Sequence, residues 1–184
     1  MISNTLNLDI ENYMQNNSSM ASRPLLIGKT SLALSKCGIP LNQNITITKN
    51  VLKKSLREEK RDSSGKMIGK NGHGLTIQQI IDSLLELDYP TLVFKGTNNN
   101  SLLIITEVKD NKNRNIVIAI SVNHQENFSF VSSIRSIYGR DNINYYIEEN
   151  IKKGNLLLLR KEKADKLLHS IEKSYLKENT FISY

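Results

Sequence analysis

The sequence predicts an α+β domain: two helices near the N-terminus packed on a four-stranded antiparallel sheet, with further helices after it. Three observations predict it. Two capped segments with helical periodicity precede Pro90. Four runs rich in Val, Ile, Leu and Phe lie between Thr91 and Arg135, separated by short polar connections. Helical periodicity then returns after Asp141.

Residues 1–23 are polar and rich in Asn and Ser, and are expected to be a flexible extension or a short docking segment, with a capsid or secretion component as the candidate partner. A single domain is expected over residues 24–177, with a tail at 178–184. Ordered structure begins at Pro24–Gly28, and Ile45-Thr46-Ile47 alternates like a short strand. Thr48 caps the first expected helix, whose inward positions are Val51, Leu52, Ser55 and Leu56. A turn-rich break follows at Asp62–Gly65. Gly65, Gly69, Gly72 and Gly74 then make a loop that ends around His73. That loop lacks the Gly-x4-Gly-Lys-Ser/Thr pattern of nucleotide phosphate loops. Thr76 and Gln79 form a capping box for the second helix, with Ile77, Ile80, Ile81, Leu84 and Leu85 as its apolar stripe and Pro90 as its stop.

After Pro90 the period shortens. Thr91–Lys95, Leu102–Val108, Asn115–Val122 and Phe128–Arg135 read as strands. Their short connections require antiparallel neighbours, because parallel strands need long crossovers. Leu102–Ile105 and Ile116–Ile120 are apolar on both faces, so helices cover part of the sheet. Asp141 is expected to cap a helix ended by Gly154. Leu156–Leu159 reads as a short strand, and Lys161–Lys177 as a last amphipathic helix.

The chain has 184 residues and a net charge of +7. Thr48–Gly74 concentrates eight basic residues against three acidic ones, a local surface that attracts polyanions by releasing their counterions. The one cysteine, Cys37, excludes an internal disulfide and a cysteine-rich zinc site, and the three histidines lack ligand spacing. No cofactor is expected. No apolar run reaches the length that spans a bilayer, and Met1–Ser22 lacks the basic-then-apolar pattern expected of a secretory signal.

Ser133–Gly139 and Arg140 gather a guanidinium, a hydroxyl and a phenol at a strand end, groups that suit a bound phosphate. His73 is the acid–base candidate, with an ordinary pKa near ~6.5. Strict alternation would set Ser132, Ile134 and Ser136 on one face and Ser133 and Arg135 on the other, so these groups meet only if the strand bends. Arg135, Ser136 and Tyr138 are the favoured set. Glu107, a carboxylate in an apolar strand, needs a polar site or a cation such as Lys95. Lys49, Lys53, Lys54, Lys95 and Arg140 are the phosphate-binding candidates. These types fit RNA cleavage without a metal: a base for the 2′-hydroxyl, an acid for the leaving oxygen, and cations for the phosphorane. Only RNA carries that internal nucleophile.

Several short pieces, taken in order, extend the reading. They are Ile27-Gly28-Lys29-Thr30, Ile45–Lys49, His73-Gly74-Leu75, Phe94-Lys95, Thr106-Glu107, Ser133–Arg140 and Gly154–Leu157 before Lys161–Ala164. Together they resemble the C-terminal toxin domain of phage MuF-type proteins, grouped with the phage barnase–EndoU–colicin–RelE-like nucleases. The resemblance implies a barnase/RelE-like fold and an RNase-type toxin carried by phages or mobile elements. Such a toxin would act on RNA in a target cell's cytoplasm, after packaging in a virion or delivery, and tRNA is one candidate substrate. An acidic immunity protein would match the basic face. Two alternatives stand beside it: a non-catalytic nucleic-acid-binding or virion-associated protein, and a different toxin chemistry on a related scaffold.

Overall fold

A computed structural model describes residues 1–15, 23–64, 68, 72–98, 100–126 and 129–160. The expected final helix at Lys161–Lys177 and the tail lie outside the described residues. The described residues form a mixed seven-stranded sheet with five helices. In chain order the elements are α1 (Leu6–Gln15), β1 (Leu25–Lys29), α2 (Leu32–Ser35), β2 (Asn44–Ile47), α3 (Lys49–Leu56) and α4 (Ile77–Leu85). Then come β3 (Leu92–Lys95), β4 (Ser101–Lys109), β5 (Asn115–Glu126), β6 (Ser129–Gly139), α5 (Ile143–Lys152) and β7 (Leu156–Leu159).

The strand order is β1-β2-β6-β5-β4-β3-β7. The expected antiparallel meander is its centre, β3 to β6. The four-stranded layout is corrected at both edges. β7 adds antiparallel to β3, while β2 pairs parallel to β6 and carries β1 as an antiparallel neighbour. The parallel pair joins segments far apart in sequence, so local spacing carries no trace of it.

Alternation along the central strands separates two cores. Val93, Ile104, Ile116, Ile118, Ile120, Ile134 and Ile137 face α1, α3 and α4. Leu92, Phe94, Ile105 and Val117 face the other way and pack on Ile147 and Ile151 of α5 and Leu159 of β7. Both helix starts expected in the first half form as read. The Thr48 side chain accepts from Val51 N–H, and Thr76 and Gln79 make the reciprocal capping box. Asp141 is not the cap of α5; Asn142 takes that place, in a left-handed conformation and without a side-chain cap bond.

Of the extension expected over residues 1–23, the described residues 1–15 pack on the fold. Ile2 bridges Gly28 beside β1, and α1 inserts Leu6 and Ile10 into the larger core at 2% and 1% exposure. A polar composition hid a helix whose buried contact is one i, i+4 pair. Ile10→Ala is expected to lower unfolding free energy by about 2–5 kcal/mol, read from chemical denaturation, because the vacated space lies in a closed core.

Candidate active site

The site is built where β2 leaves the sheet. β2 pairs with β6 only as far as Ile47 opposite Ile134 and then turns through Thr48 into α3. The β6 edge beyond Ile134 is taken over by α3, whose buried Ser55 hydroxyl donates to the Ile137 carbonyl at 3.0 Å. The chain after α3 returns along the same edge. His73 N–H donates to Lys54 O, Gly74 N–H to Arg57 O and Leu75 N–H to Ser55 O. These bonds satisfy carbonyls at the helix end that would otherwise lack partners.

The two glycines beside His73 have local reasons. A Cβ on Gly72 would overlap the Arg57 and Glu58 carbonyl oxygens, and Gly74 has φ +64°. They press the segment against α3 and fix the imidazole, which lies against the Tyr138 ring with centroids 5.5 Å apart.

A cavity of about 310 Å³ opens at this point. It is lined by Glu59, Arg61, His73, Arg114, Tyr138, Gly139, Arg140 and Asp141. Glu59 is the hub of its charges. Its side chain is 5% exposed and receives Arg114 Nη2 at 2.7 Å, Lys112 Nζ at 3.3 Å, and Arg61. Asp141 joins Arg61 at 3.0 Å and Arg114 at 3.3 Å. Arg140 lays its guanidinium 3.7 Å from the centroid of the Tyr146 ring.

These contacts set the protonation states. Burial raises the Glu59 pKa, but hydrogen bonds from Arg114, Arg61 and Lys112 outweigh it and hold the carboxyl at about 2. Burial first, then the Lys54 charge, push His73 down to about 4, against a smaller upward pull from Glu59. The imidazole is therefore neutral at pH 7. Its Nε2 is buried and has no hydrogen-bond partner among the described residues, an arrangement that native proteins mostly avoid unless a ligand, ion or water completes it.

The sequence-derived candidates divide. His73, Tyr138 and Arg140 share the cavity. Arg135 does not line it. The pairing of β6 with β5 steps from Ile134↔Ile120 to Ser136↔Ala119, so Arg135 is the extra residue of a β-bulge and stands exposed. This is the bend that strict alternation needed: it turns Ser136 and Tyr138 to the face of Ser133. Ser136 and Ser133 sit opposite Ala119 and Ser121 and do not reach the cavity lining.

Glu107 also lies elsewhere. Its backbone N–H donates to the Glu86 carboxylate, and the pairing with Lys95 does not form because the register sets Lys95 opposite Leu102. Of the lysines, Lys53 and Lys54 are exposed on α3, Lys49 stacks on Tyr13, and Lys95 ends β3. Of these four, Lys54 acts on the site, through its charge on His73.

Glu59, Arg61, Arg114 and Asp141 were not among the sequence-derived candidates. The available signals were an adjacent acid pair, Glu58-Glu59, inside a basic stretch and an Asp-x3-Arg turn between strands.

No curated protein and no solved structure matches the chain. The sequence model of one family, the phage MuF C-terminal domain, matches residues 64–166. That span holds His73, Arg114, Tyr138 and Arg140 and stops short of Glu59 and Arg61. It covers more than half of the sequence, and the chain belongs to the phage MuF C-terminal domain family.

Proposed function

We propose that this domain is a metal-independent endoribonuclease toxin that cleaves cellular RNA, with tRNA one candidate substrate. The observation that carries the reading is the neutral His73 Nε2, without a hydrogen-bond partner among the described residues, beside Tyr138 and in one cavity with Arg61, Arg114 and Arg140.

With its proton on Nδ1, His73 accepts the 2′-hydroxyl proton at Nε2. O2′ then bonds to phosphorus as the P–O5′ bond breaks. The Tyr138 hydroxyl donates a proton to the departing O5′ and recovers one from solvent, while His73 releases to solvent the proton it took. The guanidinium groups stabilise the charge that builds on the phosphorane oxygens. The products are a 2′,3′-cyclic phosphate and a 5′-hydroxyl end. An acidic immunity protein remains the partner that best fits the exposed lysines of α3.

The second reading is a virion-associated protein that only binds nucleic acid, and one experiment separates the two. Purified protein is incubated with total RNA in chelator and the cut ends are mapped. Cyclic phosphate ends support the enzyme. Intact RNA, retained with strong salt sensitivity, supports the binder.

A further inference from the structure

We propose that Asp110 is the positioning residue that aims the Arg114 guanidinium into the cavity, and that Gly139 is the clearance that lets it do so; this rests on the ribonuclease reading of the cavity. Asp110 sits at the end of β4, and its side chain is 2% exposed. One oxygen, Oδ1, accepts from Lys112 N–H and Arg114 N–H, both at 2.9 Å, and closes the turn into β5. The other, Oδ2, takes Arg114 Nε at 2.7 Å and Nη2 at 2.6 Å. A fork held on one edge by a buried carboxylate loses most of its rotational freedom, and its remaining donors must point the other way. Those donors reach Glu59 and Asp141 at the cavity wall.

Gly139 lies directly against this pair. A Cβ there would overlap Asp110 Oδ2 and come within 3.0 Å of Arg114 Nε. The end of β6 thus carries no side chain at the one place where the aspartate–arginine pair passes, between Tyr138 and Arg140, which both line the site. Asp110 is not among the cavity-lining residues. It acts through Arg114.

Two variants test the role. Asp110→Asn keeps an oxygen for the turn amides but turns an NH₂ donor toward Arg114. Gly139→Ala leaves Asp110 chemically intact and displaces its Oδ2. Each is compared with the wild type in thermal melting, in RNA cleavage, and in the NMR titration of the His73 imidazole. The charge of Arg114 helps hold the His73 pKa down. A misdirected guanidinium therefore moves that titration upward, whether or not the protein cleaves RNA.

The expected result is an upward His73 titration in both variants. With it comes a fall in kcat of about 10-fold or more at little-changed KM, as for loss of a donor used in the transition state. If either variant fails to fold, the other decides. An unmoved His73 titration with unchanged cleavage in a folded variant overturns the proposal. A moved titration in a protein that cleaves no RNA upholds the positioning role and overturns the ribonuclease reading alone.

Discussion

Replacing His73 with alanine is expected to reduce RNA cleavage by about 10²–10⁴-fold while RNA binding, carried by Arg140 and the α3 lysines, persists. The change removes the acid–base group and leaves the guanidinium groups in place. Binding measured on a filter or by anisotropy should keep its salt dependence, whereas cut ends disappear. The wild-type pH profile adds a signature. The reactive form is neutral His73, and its pKa is held at about 4 by burial and by Lys54. Cleavage should therefore stay high as pH falls through 6.5 and drop only near pH 4. A solvated histidine would give the drop near ~6.5. The same shift governs stability. The depressed pKa contributes stability that is complete above the unfolded-state value near ~6.5 and is lost as pH falls toward 4.

Arg114→Ala is expected to cost about 3 kcal/mol of unfolding free energy, the largest single loss among the charged residues of the site. The guanidinium is the shared partner of two carboxylates that are 5% and 2% exposed, Glu59 and Asp110. Its removal leaves Glu59 with Arg61 and Lys112, and Asp110 with backbone amides alone. The Glu59 pKa, at about 2 in the intact network, should then rise toward the ordinary carboxylate range. A lowered carboxylate pKa gives stability that is present above ~4.3 and lost as pH falls toward 2, so the variant should begin acid unfolding at higher pH than the wild type. Arg114→Lys restores a charge but not the fork, and should recover only part of the loss. Denaturant melts at pH 7 and pH 3 check both statements.

What could be read in advance was local. Thr48 and the Thr76–Gln79 box mark helix starts because capping involves residues three apart. The meander strands show in a period of two, and the double-faced apolar runs foretell that helices cover part of the sheet. The parallel β2–β6 pair and the burial of Leu6 and Ile10 depend on segments distant in sequence, which no local pattern encodes.

The same division holds at the site. His73, Tyr138 and Arg140 stand out by chemical type and by position at a loop end and a strand end. Arg135 stands out equally, yet one bulge residue decides that it faces away. Glu59 and Arg114 are 55 positions apart. Each reads in sequence as a solvated charge, and only the fold makes them a buried pair.

The central claim is that His73 and the guanidinium groups bind one phosphodiester. It is tested most directly by following the His73 imidazole by NMR while a short 2′-O-methyl RNA, which cannot be cleaved, is added. The account predicts a free-state pKa near 4 and a saturable shift of the imidazole together with Arg114 and Arg140 side-chain signals. An imidazole that titrates near ~6.5 and stays unmoved while only the α3 lysines respond would contradict it.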